Sequence, residues 1–396
     1  MSRPASPPPP TWHERGSVLQ PRLPAFWLFA FLLLIGGLGA GGIVAERISA
    51  NQEASLFAIT LLVVWAIPLV LAIYALDLFE REPLGMLAAA FAWGGLAAIT
   101  LAISANTALL DLLAKLGSPS LAENWGPAIA GPTNEETLKA LGLLLLALIA
   151  AAEIDTPIDG LVYGAFAGLG FQILENFLYF TNPTFAGNGY AQTEVVWDLF
   201  VIRGLVDGIW SHAAYTGLVG LGIGYLVSRP DVPRPRRILV AVLAFIGAWS
   251  MHFAWNAPWL GDLVAQGLGG WIAFSLVKGL PGFMLLVGLY LYARRREVRW
   301  VERVLTPELA TGAATPAEIE ALLTLHGRRR ERRAARKSGG RRAARHTKQL
   351  QREQVGLAVE RTRAGGASTP EIDRRRAAIA SIRRELPPAS ATKPSA

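Results

Sequence analysis

The chain of 396 residues is rich in apolar side chains: 52% of its residues are hydrophobic and only 17% are charged. About a quarter of the residues are charged in a typical soluble chain, so this deficit and the long apolar stretches exclude a purely soluble globular enzyme. The sequence contains no cysteine, which excludes disulfides, cysteine nucleophiles and thiolate metal sites.

Charge divides the chain into regions of opposite sign. Residues 294–396 hold 25 of the 38 basic and 11 of the 30 acidic residues, a net charge of +14, whereas residues 1–293 carry a net charge of −6. We therefore predict a short disordered, proline-rich cytoplasmic lead over 1–24 and a multi-span membrane domain over 25–293. A basic cytoplasmic tail, helical or disordered, follows over 294–396.

The apolar stretches predict an all-α, polytopic membrane protein with about eight transmembrane helices. A spanning helix needs about 20 apolar residues to cross a hydrocarbon core of about 30 Å. The candidate spans lie near 26–45, 55–76, 84–106, 133–152, 157–180, 208–228, 237–257 and 270–293.

Short basic segments orient these spans. The 229–237 loop carries four arginines, and three more follow the last span at 294–296. Lys and Arg are enriched in cytoplasmic loops, so both segments are predicted to be cytoplasmic. Eight spans then place both termini in the cytoplasm, in a multi-pass protein of the plasma membrane.

Ionisable side chains inside spans are costly and by default mark a functional site. Four predicted spans carry such groups. The candidates are Glu135, Glu136 and Lys139 in the fourth span, Glu175 and Asn176 in the fifth, His212 in the sixth, and His252 and Asn256 in the seventh.

Each cluster also has a structural explanation. Acidic residues that follow Thr133 or Asn134 suit the first turn of a helix. A lone histidine is more often a hydrogen-bonded core residue than a ligand, and Asn256 precedes a helix-ending Ala-Pro pair. At 1.5 Å per residue, however, all four clusters lie about 22–27 Å from the inner ends of their spans, which predicts one polar site in the outer part of the membrane.

Carboxylates and imidazoles without a serine or cysteine nucleophile suit activation of water. A glutamate can act as general base, either directly or on a metal-bound water. Histidine and asparagine side chains can hold the metal or stabilise the oxyanion of a tetrahedral intermediate. The sequence has no HExxH motif, which excludes a zincin-type membrane protease.

Residues 60–293 resemble the PrsW family of intramembrane proteases, within a wider group that includes CAAX-prenyl endopeptidases and abortive-infection-type membrane proteins. The shared motifs are LDLFEREP at 76–83, EETLK at 135–139, DGLVYGAFAGLGFQILEN at 159–176, Arg203 followed by HAAYTG at 212–217, and HFAWN at 252–256. The position four after Phe171, a histidine in the CAAX-type pattern, is Glu175 here, which favours the PrsW branch.

The resemblance implies peptide-bond hydrolysis in the membrane, with Glu135, Glu136, Glu175, His212 and His252 as the functional set. Asn256 matches the HxxxN element of the wider group, and Lys139, Asn176 and Arg203 are supporting residues. The family is described as metalloproteases and other members of the wider group as glutamate-dependent. The cofactor is thus either zinc, held by Glu175, His212 and His252, or none.

A site in the outer part of the membrane suits cleavage of a membrane-anchored substrate near its extracytoplasmic face, such as an anti-sigma-factor-like regulator. Three alternatives remain open: a proton-coupled transporter, a non-catalytic membrane scaffold, and a CAAX-type processing protease. No inverted repeat is visible, which disfavours a transporter.

Further groups have predicted structural roles. The basic tail is predicted to contact anionic lipid headgroups rather than nucleic acid, because Trp300 is the only aromatic residue after Arg296. Arg203 has Asp198 or Asp207 as a candidate partner, and Lys278 either pairs with a site carboxylate or snorkels. Asp77, Glu80 and Glu82 are interpreted as structural, and the glycines of the fifth span at 160, 164, 168 and 170 as helix-packing positions.

Overall fold

The computed structural model describes residues 17–77, 79, 82–182, 192–365 and 367–386, and these residues form helices and connecting segments without a β-strand. The predicted all-α class is confirmed. The chain forms two compact units: unit 1 comprises Met1–Leu76 and Glu82–Tyr290, and unit 2 comprises Asp77–Arg81 and Leu291–Ala396. Residues 1–16 of the predicted lead over 1–24 lie outside the described residues, and the first helix begins at Pro24.

Unit 1 is built from nine main helices within the described part of the chain. Helix α3 contains a π-helical turn at Trp93–Ala98, and α6 continues into a second one at Phe200–Val206. The last helix, α9, runs on into unit 2 from Leu291. The helices are α1 Pro24–Ala50, α2 Gln52–Tyr74, α3 Leu84–Leu116, α4 Pro119–Ile149, α5 Pro157–Phe180, α6 Gln192–Leu199, α7 His212–Ser228, α8 Arg234–Asn256 and α9 Leu268–Leu305.

Six helices of the described residues are long and apolar enough to span a membrane: α1, α2, α3, α5, α8 and α9. The chain is therefore a multi-pass membrane protein. The other two predicted spans correspond to α4 and α7, so the count of eight stays a prediction. Helix α7 has only 17 residues, and the polar, proline-containing stretch before Glu135 lowers the hydropathy of α4.

The start of α4 differs from the sequence expectation. The helix begins at Pro119, where the Ser118 hydroxyl accepts a hydrogen bond from Leu121 N at 3.0 Å. It continues through Pro127 and Pro132, so Thr133 and Asn134 lie inside the helix. The proposed N-cap explanation for Glu135 and Glu136 is therefore wrong, because these side chains lie more than four turns from the helix start.

Helix α5 is the centre of unit 1, and glycines bring its neighbours close. A Cβ atom at Gly164 would lie 2.2 Å from the Thr216 carbonyl oxygen of α7, and one at Gly168 would lie 2.2 Å from the His212 carbonyl oxygen. On the α3 side, a Cβ at Gly94 would lie 1.8 Å from the Ala167 oxygen. These contacts confirm that the glycine face of α5 serves helix packing.

Replacing Gly168 by alanine is expected to destabilise the protein and to displace the backbone that carries His212. The added methyl group meets a backbone carbonyl that cannot rotate away, so overpacking should cost about 1–3 kcal/mol. Thermal unfolding in detergent measures this loss. Gly288→Ala is the control, because no atom lies within 4 Å of its Cβ position. Equal unfolding temperatures for both variants would contradict the packing described.

Unit 2 contains three helices after Leu309 within its described residues, α10 Pro316–Leu322, α11 Leu325–Arg363 and α12 Pro370–Glu385. Thr315 and Glu318 form a capping box at the start of α10, and Thr369 caps α12. Helix α11 is kinked at Gly339 and Gly340, where Gly340 has φ of 70°.

The tail has an apolar core of its own. One cluster joins the end of α9 to α10, and the other joins α11 to α12. The buried Glu308 accepts hydrogen bonds from Arg376, which lower the pKa of this carboxyl group. The clusters include Val301, Leu305, Ile319 and Leu322 in the first, and Leu350, Leu357, Ile372 and Ile379 in the second.

Candidate active site

Four helices of unit 1 bring the predicted polar residues into one buried cluster. Helix α4 supplies three of them, whereas α5, α7 and α8 supply one each. Few of these side chains reach the surface of the protein. The exposed fractions are 0% for Glu136 and Lys139, 3% for His252, 4% for His212 and 5% for Glu135. Glu175 joins the cluster through His212.

Glu136 is surrounded by hydrogen-bond donors. Its Oε1 atom accepts a hydrogen bond from Lys139 Nζ at 2.6 Å and lies 3.0 Å from His252 Nδ1. Its Oε2 atom accepts a hydrogen bond from the Thr216 hydroxyl at 3.1 Å. These contacts fix the carboxylate of Glu136 between Lys139 and the ring of His252.

Glu175 lies on the other side of the cluster, next to Arg203 and His212. Its Oε2 atom lies 2.7 Å from an Arg203 guanidinium nitrogen and 2.9 Å from His212 Nε2. Arg203 also donates to Asn176 Oδ1 at 3.1 Å and stacks over the Tyr179 ring at 3.8 Å. Arg203 thus pairs with Glu175, rather than with either aspartate considered from the sequence, because the π-helical turn carries it to α5.

Glu135 is the carboxylate with an unused oxygen. Its Oε1 atom accepts a hydrogen bond from Asn106 Nδ2 at 3.1 Å, whereas its buried Oε2 atom has no hydrogen-bond partner in the described structure. That oxygen lies 3.8 Å from His212 Nδ1 and 3.9 Å from His252 Nε2. Asn106 therefore orients Glu135 toward both histidines.

Asn106 was missed from the sequence. The predicted third span ended at this residue, so its amide looked like part of a helix boundary. In the structure α3 continues to Leu116, and Asn106 lies opposite α4. Its Oδ1 atom also accepts a hydrogen bond from Asn134 at 3.0 Å, which fixes the amide orientation. A single asparagine in an apolar stretch was the available signal.

The two histidines have complementary environments. His252 directs Nδ1 to Glu136 and Nε2 to Glu135, whereas His212 directs Nε2 to Glu175 and Nδ1 to Glu135. Each ring can thus donate one N–H to a carboxylate and present its other nitrogen as a lone pair. Histidine ligands of metals show this arrangement, in which a carboxylate orients the ring.

The cluster fits a metal ion. One ligand atom each from Glu135, His212 and His252 lies within 4.8 Å of the others. The unpartnered Glu135 oxygen lies 3.8 and 3.9 Å from nitrogens of the two histidines. Two imidazoles and a carboxylate are a donor set of catalytic zinc sites. Lys139 Nζ, however, lies 3.0 Å from His212 Nδ1, so the lysine and an ion would compete for that nitrogen. The structure groups Glu135, in place of Glu175, with the two histidines.

Asn256 lies beside this cluster at the end of α8. Its side-chain amide donates to the Pro127 carbonyl oxygen at 3.2 Å. A Cβ atom at Gly131 would lie 3.0 Å from Asn256 Nδ2 and 3.5 Å from Glu135 Oε1. Asn256 therefore provides an amide donor close to the free carboxylate, and the absence of a side chain at Gly131 leaves room between them.

The assembled groups can bind and deprotonate a water molecule in a buried setting. Glu135 offers a free carboxylate oxygen, and Asn256 and the histidines offer donors for a developing oxyanion.

The first shared motif, LDLFEREP, contributes a residue that lies outside the cluster. Glu82, at the end of LDLFEREP, is buried and accepts a hydrogen bond from the Tyr163 hydroxyl group, outside this cluster.

Comparison with known proteins agrees with this geometry. The sequence profile described as PrsW family intramembrane metalloprotease matches residues 82–290, more than half of the chain and all of the clustered residues. No curated protein and no solved structure matches the chain. The resemblance seen in the sequence is confirmed, although the matched region begins after most of LDLFEREP. The chain belongs to the PrsW family of intramembrane metalloproteases, and it is a multi-pass membrane protease.

Proposed function

We propose that this protease hydrolyses a peptide bond of a membrane-anchored protein near its extracytoplasmic boundary, with Glu135 as the group that activates water. The observation that carries the proposal is the Glu135 Oε2 atom, which is buried, has no hydrogen-bond partner in the described structure and faces two histidines. A buried carboxylate oxygen in this position is suited to accept a proton from water.

The surrounding residues take separate roles in this proposal. Asn106 holds Glu135 through its other oxygen, and Glu136 and Glu175 fix the rings of the two histidines. Asn256 and a protonated histidine nitrogen stabilise the oxyanion that forms as water adds to the carbonyl carbon. These assignments require no covalent intermediate with the protein.

We further propose that Glu135, His212 and His252 hold a zinc ion, with Glu175 as an orienting group for His212. The ion would supply Lewis-acid polarisation and a lowered pKa of bound water. With the ion bound, Glu135 and the two imidazoles would serve as ligands instead of as base and oxyanion donor. Two roles are the same in either case: Asn106 orients Glu135, and Arg203 holds Glu175 against the imidazole.

The location of the cluster along its helices supports cleavage near one membrane surface. His212 begins α7, His252 lies about 6 Å before the end of α8, and Glu175 lies about 8 Å before the end of α5. Helices α7 and α8 are joined at their opposite ends by the arginine-rich loop. With that loop in the cytoplasm, the site lies toward the extracytoplasmic face, and both termini are cytoplasmic.

Aromatic residues near the cluster support the same depth. The Trp249 and Phe253 rings are stacked at 5.0 Å, and the Trp125 and Trp259 rings lie 6.1 and 5.9 Å from the Phe253 ring. Tryptophan is enriched at membrane–water interfaces. Trp249 and Phe253 adjoin His252 in sequence, which supports a cluster close to an interface rather than at the bilayer centre.

Single cysteine probes test the orientation, since the natural sequence has no cysteine. Cysteine at Gln266, in the α8–α9 connection, is expected to react with an impermeant thiol reagent added outside cells that express the protein. Cysteine at Arg234 should be protected until the membrane is permeabilised. Gly187, which the predicted topology places in the outer loop after the fifth span, would be an equivalent position but lies outside the described residues. The reverse labelling pattern would place the site toward the cytoplasm and favour CAAX-type processing.

The experiment that tests the activity uses purified protein and a library of single-span substrates, including anti-sigma-factor-like regulators, with and without a chelator. We expect a subset of substrates to be cut, and the cut to be lost when metal is removed. Ion flux in proteoliposomes without any peptide cleavage would instead support a transporter. A folded protein without either activity would be a scaffold.

We also propose that the basic tail contacts anionic lipid headgroups. Several arginines of α11 are exposed, and the polybasic segment is tethered to a membrane domain by α9. Basic segments next to a membrane helix gain about 1 kcal/mol per residue near an anionic surface. The exposed residues include Arg329, Arg330, Arg333, Arg336 and Arg341.

A further inference from the structure

Lys278 lies in the apolar first part of α9, away from the catalytic carboxylates. Its ammonium group donates hydrogen bonds to the carbonyl oxygens of Trp255 at 3.0 Å and Ala257 at 2.5 Å. It also lies 4.3 Å from the centre of the Phe274 ring. The pairing with a site carboxylate considered from the sequence is not observed among the described residues, because Lys278 binds the backbone at the end of α8.

The carbonyl groups at the end of α8 need hydrogen-bond donors from outside the helix. The last carbonyls of a helix have no intrahelical partner, and Pro258 prevents the helix from continuing. Ala257, the residue before this proline, is extended with ψ of 145°. Without water, such carbonyl groups need another donor, and a cation also suits the negative end of the helix dipole.

The same turn of α8 carries site residues. His252 contacts Glu135 and Glu136, and Asn256 lies beside the bound Trp255 carbonyl in sequence. Helix α8 buries only Ala248 and His252. Ring contacts of Phe253 with Trp125 and of Trp255 with Phe274 also hold this turn, so Lys278 adds a polar tie to α9 beside aromatic contacts.

We propose that Lys278 is a positioning residue, which ties the last turn of α8 to α9 and thereby holds His252 and Asn256 against Glu135. The inference rests on the proposed function for its kinetic consequence, but not for its structural one. A close contact one turn along α9 supports it: a Cβ atom at Gly282 would lie 2.7 Å from Met251 Cγ, next to His252. The two helices thus meet at both sides of the site-bearing turn.

The first test is kinetic and uses a cleaved single-span peptide. Lys278→Met keeps the length of the side chain but removes the donor, and it should lower kcat about 10-fold to 100-fold while KM changes less than about 2-fold, because misplacement by about 1 Å has effects of this size. Lys278→Arg should restore most of the rate. Leu276→Met, at a lipid-exposed position of the same helix, is the matched control.

The second test does not depend on activity. Ala257 is buried, with 3% exposure, so a cysteine introduced there should react slowly with a small thiol reagent. In the Lys278→Met background we expect its labelling rate to rise at least 5-fold, and in the Lys278→Arg background to stay near the original rate. An unchanged rate in Lys278→Met would overturn the positioning role. Faster labelling in a protein that cleaves no substrate would retain it and reject only the proposed function.

Discussion

Glu135→Gln is expected to lower kcat for peptide cleavage by at least about 10³-fold, with KM changed less than about 3-fold. The substitution keeps the shape of the side chain and its hydrogen bond from Asn106, but it removes the basic oxygen that faces the two histidines. General base catalysis contributes about 10²–10⁴-fold, and a 10³-fold loss corresponds to about 4 kcal/mol of transition-state stabilisation. Steady-state kinetics with a fluorogenic single-span peptide measures the effect.

Glu123→Gln is the control for this prediction, because Glu123 is an exposed acid on the same helix. It should retain the kcat of the natural protein. Glu136→Gln and Glu175→Gln should also lose activity, through misplacement of the histidines that they bind. If Glu135→Gln cut at the natural rate while Glu136→Gln did not, the assignment of the base to Glu135 would be wrong.

Purified protein is expected to contain about one equivalent of zinc, and substitution of a ligand is expected to abolish its retention. His252→Ala removes one of the three clustered donor atoms, so the bound metal should fall below about a tenth of an equivalent after dialysis. Glu175→Gln removes only an orienting carboxylate, and such changes typically cost about 10–100-fold in metal affinity. Elemental analysis of detergent-purified protein measures both, independently of activity.

The relative effects of these variants separate the two candidate ligand sets. Metal loss in Glu135→Gln, with weakened binding in Glu175→Gln, supports the set that the structure brings together. Complete loss in Glu175→Gln and full retention in Glu135→Gln would support the set predicted from the sequence. A fully active, metal-free preparation would assign the histidines to oxyanion stabilisation and leave Glu135 as the base.

Much of this site could be predicted because ionisable groups are conspicuous in an apolar sequence. Glu135, His212 and His252 stood out from their surroundings, and counting residues along four helices placed them at one depth. The glycines of α5 likewise had a predictable role, since a stripe of small residues permits close approach of helices.

The remaining features depend on contacts between helices that sequence spacing does not reveal. Glu135 has one free oxygen because Asn106, on the neighbouring helix α3, donates a hydrogen bond to its other carboxylate oxygen. The preference of Arg203 for Glu175 follows from a π-helical turn, which shifts side-chain directions relative to a regular helix. Lys278 donates hydrogen bonds to main-chain carbonyl oxygens, and no pattern of residues in the sequence marks these oxygens as acceptors.

The helix boundaries were also harder to predict than the helices themselves. Proline at 127 and at 132 and the polar residues before Glu135 suggested a helix start near Thr133, but α4 begins at Pro119. Tertiary packing overrides such local signals, since Gly126, Ala128 and Ala130 are buried within unit 1. Helices α4 and α7 stay predicted spans, since α7 has only 17 residues and a polar stretch before Glu135 interrupts the apolar sequence of α4.

Mass spectrometry of a single-span substrate co-reconstituted with the protease in liposomes locates the hydrolysed bond. Two fragments are expected whose summed mass exceeds that of the substrate by one water, with the cut within about two helical turns of the extracytoplasmic boundary. Glu135→Gln protein, shown to be folded by its unfolding temperature, should leave the substrate intact. Cleavage at the cytoplasmic boundary, or equal cleavage by Glu135→Gln, would contradict the account.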